Sequence, residues 1–246
     1  MAVLPINGTV VGHRSWTDKL HSIQIEADVN SFESGQFGRI GLNIDDKNVM
    51  RPYSFVNAQG QHPLEFYYSV VPEGELSRRL PSLKIGENIL INAKPNGFLV
   101  LSQIPEAEQL WMLATGTGLG PFLSILRSDD VWTRFRDIVL VHAVRHQCDV
   151  SYGEETASLA QNPRLRVVHF VSREKTEFAL PGQIPQALAD GRLQERVGVN
   201  PTPDKSQFMI CGNPDMVNGT VQVLLNQGFR RNRRRAPGHI TVENYW

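Results

Sequence analysis

Through the first hundred residues, apolar and polar side chains alternate in short bursts broken by turn residues, as in HSIQIEADV (21–29), GRIGLNID (38–45), PLEFYYSVV (63–71) and ENILINA (87–93). Alternation with a period of two predicts half-buried antiparallel strands, the signature of a barrel or sandwich. From about Gln109 the pattern changes to continuous apolar runs, LWMLAT (110–115), DIVLVHAV (137–144), LRVVHFVS (165–172) and QFMICG (207–212), interleaved with candidate helices. That is the rhythm of a parallel sheet covered on both faces. The expected organisation is an antiparallel β domain over residues 1–102 and an α/β domain over 108–246, joined between Leu101 and Glu108.

Composition narrows the chemistry. The 246 residues carry 25 basic and 25 acidic side chains and are 41% hydrophobic, which argues against disorder and against a general affinity for polyanions. No apolar run approaches the roughly 20 residues needed to span a bilayer. The opening MAVLPINGTVVGHRSW lacks the cationic and apolar regions of a secretory leader. A cytoplasmic protein with free thiols is expected. Its two cysteines, Cys148 and Cys211, cannot supply an iron–sulfur cluster, so any such cluster belongs to a partner. The seven histidines show no metal-ligand spacing, and no GxSxG elbow is present.

Several short motifs lie where the pattern predicts strand ends. Thr115-Gly116-Thr117-Gly118-Leu119-Gly120-Pro121 follows the first buried run, with Pro121 suited to the first turn of a helix and the loop suited to a phosphate. Its GxGxG spacing is one residue tighter than the dinucleotide fingerprint, and a plain strand-to-helix turn is the competing reading. Cys211-Gly212-Asn213-Pro214-Asp215 also closes a run, with Asn213 a candidate N-cap. Arg51-Pro52-Tyr53-Ser54 combines a cation, a rigid turn, an aromatic face and a hydroxyl, contacts that a flat phosphorylated cofactor requires. Pro72-Glu73-Gly74-Glu75-Leu76-Ser77 predicts a turn into a short helix limited by Pro81. The chain closes on Tyr245 and Trp246, and RRNRRR at 230–235 is a concentrated basic patch whose plain reading is a solvated surface.

In this order, RPYS, EGELS, TGTGLGP, VSRE, CGNPDM and the terminal YW resemble the bacterial ferredoxin/flavodoxin–NADP reductases over nearly the whole chain. The resemblance implies an FAD-binding β-barrel, an NADP-binding Rossmann-like domain, and FAD held non-covalently at their junction. It places Arg51, Pro52, Tyr53 and Ser54 around the FAD, Tyr53 against the isoalloxazine, Arg51 near the pyrophosphate and Ser54 close to flavin N5. Tyr67, Glu75, Leu76 and Ser77 line the cofactor, the last three through backbone donors. Thr117 sits where the two cofactors meet, and Tyr245 and Trp246 form an aromatic lid over the flavin. For NADP the resemblance implies Arg145, Ser172, Arg173, Gln183, Gly212, Asn213 and Asp215, with Arg173 on the 2'-phosphate. Relatives with a GRIP-like motif have a second arginine where Gln183 stands. Ser54, Cys211, Glu243 and Trp246 are the residues expected at the reacting rings.

The implied activity is hydride transfer between NADPH and FAD and single-electron exchange between FAD and a ferredoxin or flavodoxin; the concentration of charge at Arg230, Arg231, Arg233, Arg234 and Arg235 makes that patch the candidate docking surface for such an acidic partner. The residues leave two alternatives open: an NAD(P)H-dependent flavin reductase or diaphorase, and a non-enzymatic module using the basic patch on nucleic acid or membrane. Balanced charge disfavours the second, so neither nucleic acid nor membrane is an expected partner.

Overall fold

The alternating bursts form strands, and the computed structural model, which describes residues 4–244, arranges them in two six-stranded sheets. The first contains β1 (Ile6–Ser15), β2 (Leu20–Glu26), β3 (Phe37–Ile44), β4 (Lys47–Ser54), β5 (Leu64–Ser69) and β6 (Asn88–Ile91), in the order β4-β3-β6-β1-β2-β5. All its ladders are antiparallel. The outer strands meet where Phe55 bridges Phe66 and the Val56 N–H donates to the Glu65 carbonyl at 2.9 Å. This closes the sheet around Val10, Ile23, Ile40, Phe55, Phe66 and Ile89, and so limits exposed strand edges.

The second sheet contains β7 (Gln109–Thr115), β8 (Asp137–Val144), β9 (Leu165–Val171), β10 (Leu180–Pro181), β11 (Ser206–Gly212) and β12 (Ile240–Asn244), all parallel, in the order β10-β9-β8-β7-β11-β12. Helices α1 (Gly120–Leu126), α2 (Asp130–Arg134), α3 (Gly153–Leu159), α4 (Ile184–Ala189), α5 (Arg192–Val197) and α6 (Pro214–Asn226) cover it. The continuous apolar run of β7 follows from burial on both faces: Leu110, Met112 and Ala114 enter one core, Trp111 and Leu113 the other. The expected short helix after Gly74 forms turns and a 3-10 turn at Leu80–Ser82 instead. Ser77 Oγ accepts from the Val71 N–H at 3.1 Å, and Leu76 is drawn into the barrel core. Among the described residues no helix is long and apolar enough to cross a membrane.

The two sheets share a core as well as a chain. Leu20, Val56 and Tyr67 pack with Leu119, Phe122 and Tyr152 in one cluster. Beside it runs a polar seam centred on Arg127, which closes α1. Its guanidinium donates to both Glu155 oxygens at 2.7 and 2.8 Å, to Glu65 Oε2 at 3.0 Å and to the Val56 carbonyl at 3.0 Å. Tyr152 donates to Glu65 Oε1 at 2.7 Å and lies 2.6 Å from Ser22 Oγ, which accepts from Trp16 Nε1 at 2.8 Å. These bonds fix the barrel against α1 and α3.

Candidate active site

The barrel contributes the end of β4. Pro52, which has no N–H to donate, is tolerated because β4 lies at one end of the strand order. Arg51 is exposed, donates to the Met50 carbonyl at 3.0 Å and makes no ion pair among the described residues. The half-buried Tyr53 ring meets Tyr68 edge-on at 6.1 Å, and burial pushes its hydroxyl up to about 12. Ser54 is buried where the barrel meets α1: a Cβ built on Gly120 would stand 3.9 Å from that of Ser54. Glu75 is exposed, whereas Leu76 and Ser77 are buried. Tyr67 and Tyr68 point to opposite faces of β5. Tyr67 enters the interdomain seam, packing edge-on against Tyr152 at 5.3 Å and donating to Ser151 Oγ at 2.8 Å. Tyr68, which sequence reasoning missed, stands beside Tyr53 with a buried hydroxyl that has no partner among the described residues.

The α/β half contributes its carboxyl edge. The loop after β7 passes through a 3-10 turn, Gly116–Leu119, before α1, whose first turn contains Pro121. Thr117 is buried within that turn. Gly118 must lack a side chain, since a Cβ there would lie 2.5 Å from the Cys211 carbonyl oxygen. After β11, Gly212 adopts a φ of +132°, and a Cβ there would collide with Thr115 Oγ1. That oxygen accepts from the Asn213 N–H at 2.8 Å. Asn213 caps α6 as its position predicts, accepting from the Asp215 and Met216 N–H groups at 2.9 and 3.3 Å. Asp215 in the first turn is exposed.

Cys211 pairs in register with Glu243 of β12. Cys211 is fully buried, and Glu243 is half-buried with an enclosed, unpartnered Oε1. Burial raises the Glu243 carboxyl from its ordinary 4.5 to about 7. The folded chain therefore holds an extra proton between these values, and the stability associated with it is complete below pH 4.5 and lost as pH rises through about 7. Glu243→Gln should change stability little at about pH 5 and raise it by roughly 1–3 kcal/mol at about pH 8, without nicotinamide nucleotide present. Urea midpoints at both pH values check this; a difference independent of pH would contradict it.

Farther along the same edge, the chain continues to pair beyond the ends of β8 and β9. The Ser172 N–H donates to the Val144 carbonyl at 3.1 Å and the Arg173 N–H to the Arg145 carbonyl at 2.9 Å. Arg145, Ser172 and Arg173 are exposed, and neither arginine makes an ion pair among the described residues. β10 pairs with the end of β9 through Pro181 and Val171, and exposed Gln183 follows as the N-cap residue of α4. Cations, aromatic faces and orphaned polar atoms at one interdomain edge suit a flavin dinucleotide and a phosphorylated nicotinamide dinucleotide. Tyr245 and Trp246 lie outside the described residues. Among the described residues no three His, Cys, Asp or Glu side chains gather as metal ligands.

Comparison with known proteins gives concordant matches. The sequence model of the oxidoreductase FAD-binding domain matches residues 15–98, and that of the oxidoreductase NAD-binding domain matches residues 112–222. A flavodoxin/ferredoxin–NADP reductase of Escherichia coli (strain K12) is 42% identical over 244 residues, 98% of each chain. A ferredoxin–NADP reductase of Azotobacter vinelandii is 31% identical over 244 residues, 95% of each chain. In three dimensions, a crystal structure of a ferredoxin NADP+ reductase from Neisseria gonorrhoeae with bound FAD and NADP superposes with a TM-score of 0.94, at 31% identity and 99% coverage of both chains. Likeness of this extent, through both sheets and the segments that join them, makes the chain a member of the flavodoxin/ferredoxin–NADP reductase family.

Proposed function

We propose that this chain is an FAD-dependent flavodoxin/ferredoxin–NADP reductase, with residues 1–102 as the flavin domain and 108–246 as the NADP(H) domain. The supporting observation is that both sheets bring their chemistry to one junction. Ser54 lies beside Gly120, and Glu243 Oε2 lies 3.5 Å from a Cβ built on Gly97. Bound FAD supplies the conversion between the hydride chemistry of NADPH and single electrons exchanged with a flavodoxin or ferredoxin. Tyr53 supports the flavin ring, Arg51 neutralises its pyrophosphate, and Ser54 approaches N5. Tyr67 lines the cofactor together with Glu75, Leu76 and Ser77, the last three offering backbone donors, and Thr117 meets both cofactors. Cys211 and Glu243 would help to position the nicotinamide, and Tyr245 and Trp246, outside the described residues, would supply the aromatic lid of the flavin. Arg145, Ser172, Arg173 and Gln183 bind the far phosphates, while Gly212, Asn213 and Asp215 shape the nearer edge.

An absorbance spectrum followed by anaerobic titration with NADPH, then NADH, tests this reading. A flavin spectrum bleached at lower concentrations of NADPH than of NADH is expected, with turnover on ferredoxin or flavodoxin exceeding that on free FMN. Absence of flavin would overturn the reading, and preference for free FMN would assign a flavin reductase.

The basic patch has a defined shape suited to an acidic protein partner. Arg233 and Ala236 exchange backbone hydrogen bonds at 3.0 and 3.1 Å, leaving Arg234 and Arg235 at the tip of a tight hairpin. Asn232 anchors the hairpin through Gln103 O at 2.7 Å and Thr241 Oγ1 at 3.0 Å, and Arg234 lies over the Phe98 ring at 5.7 Å. Among the described residues none of Arg230, Arg231, Arg233, Arg234 and Arg235 pairs with a carboxylate, which leaves their field unneutralised. Changing Arg233, Arg234 and Arg235 to Gln should slow acceptor reduction at low salt by roughly tenfold and flatten its salt dependence. Reduction of the FAD by NADPH should stay near wild type. Wild-type acceptor rates across the salt series, with FAD content intact, would place docking elsewhere.

A further inference from the structure

The ladders of the second sheet align five residues in one transverse row: Glu243, Cys211, Ala114, His142 and His169, on β12, β11, β7, β8 and β9. Residues paired across parallel strands share a face. Ala114 and Cys211 identify that face as the one packed with Leu119, Phe122 and Tyr152 against the barrel. Glu243 and Cys211 serve the reacting end of the site; His142 has no role in the reading above.

His142 is fully buried, and its Nε2 lies 3.0 Å from the Gly116 carbonyl oxygen. A carbonyl only accepts, so Nε2 carries the proton and Nδ1 presents a bare lone pair. That atom is buried with no hydrogen-bond partner among the described residues. Burial, assisted by nearby His169, pushes the imidazole down to about 3, so the ring stays a neutral donor. As core filling, this is a costly choice, because an orphaned buried nitrogen carries its full desolvation cost and a leucine would carry none.

In return the chain gains control of one peptide plane. Across a trans peptide the carbonyl of one residue and the N–H of the next point in opposite directions. Drawing the Gly116 carbonyl onto His142 therefore turns the Thr117 N–H away from it. Gly116 has a φ of +52°, and a Cβ built there would meet nothing within 4 Å. Two residues later Gly118 presses onto the Cys211 carbonyl. The loop is thus clamped on one side and open on the other.

We propose that His142 is a positioning residue of the cofactor site, holding the 116–117 peptide so that the Thr117 amide faces outward to donate to the diphosphate of a bound dinucleotide. The inference rests on the reading of residues 115–120 as part of that site. Its test uses the FAD-loaded enzyme and three variants: His142→Leu, which removes the donor; His142→Gln, whose side-chain amide reaches a similar place; and Gly118→Ala, which forces the loop off Cys211. NADP+ affinity is read by calorimetry and FAD release by the rise of flavin fluorescence on dilution.

For His142→Leu, a rise of about tenfold in the NADP+ Kd or in the FAD release rate is expected, equivalent to about 1.4 kcal/mol. His142→Gln should stay within about threefold of wild type on both measures. A loss confined to NADP+ assigns the amide to the nicotinamide dinucleotide, and one confined to FAD assigns it to the flavin dinucleotide. If His142→Leu alters neither, or if Leu and Gln are equally impaired, the positioning role is wrong. If Gly118→Ala also leaves both unaltered, it is the placement of the loop in the cofactor site that fails, and the inference with it.

Discussion

Arg173→Ala is expected to lower kcat/KM for NADPH by roughly ten- to a hundredfold while leaving NADH almost unaffected. The range follows from one charge-assisted hydrogen-bonding partner, about 1.5–3 kcal/mol, lost only when a 2'-phosphate is present. Arg173 is suited to this role because its backbone is tied to Arg145 at the strand end, while no carboxylate among the described residues competes for its guanidinium. A guanidinium fork also matches a phosphate in two directions at once, which an ammonium does not. Gln183 can donate but brings no charge, so Gln183→Arg should widen the preference for NADPH. Steady-state kinetics with both coenzymes decide the matter: an equal fall for NADPH and NADH would remove Arg173 from 2'-phosphate recognition.

Arg127→Ala is expected to cost about 3–5 kcal/mol of stability, the range for removing one partner of a buried ion pair. The side chain is 19% exposed and Glu65 13%, so water compensates little for the loss. The substitution leaves Glu65 and Glu155 unpaired and removes a donor from the Val56 carbonyl. Glu65→Gln should cost less, about 1–3 kcal/mol, because Arg127 retains Glu155. Urea denaturation of the FAD-loaded proteins measures both. A loss below about 1 kcal/mol for Arg127→Ala would mean that the seam contributes no more than a surface pair.

Both predictions depend on features with different visibility in the sequence. The second sheet was legible because the strands that build it are buried on both sides: DIVLVHAV coincides with β8, and LWMLAT falls within β7. The barrel strands were legible from their alternation, and the cap at Asn213 from the Asn-Pro pair that starts α6. The seam was not. Trp16, Ser22, Glu65, Arg127 and Tyr152 are scattered along the chain, and each looks ordinary until the fold joins them. The neighbours Tyr67 and Tyr68 form an apolar doublet whose two faces become distinguishable only when β5 has partners. His142 is concealed differently, inside an apolar run, where only strand register and the Gly116 carbonyl reveal it. In the segment after Gly74, the Ser77 hydroxyl and the burial of Leu76 outweighed local helical preference.

The shared core has a thermodynamic consequence. Val56 and Tyr67 from the barrel are buried with Leu119 and Phe122 from the other half, so beyond its own core each half buries apolar surface against the other. Severed between Leu101 and Glu108, the first half would expose that surface to water and leave Glu65 facing an absent guanidinium. Two sheets of different topology are therefore expected to unfold together, and a lesion in the barrel should lower the protection of amides in the parallel sheet as well, which hydrogen exchange measures.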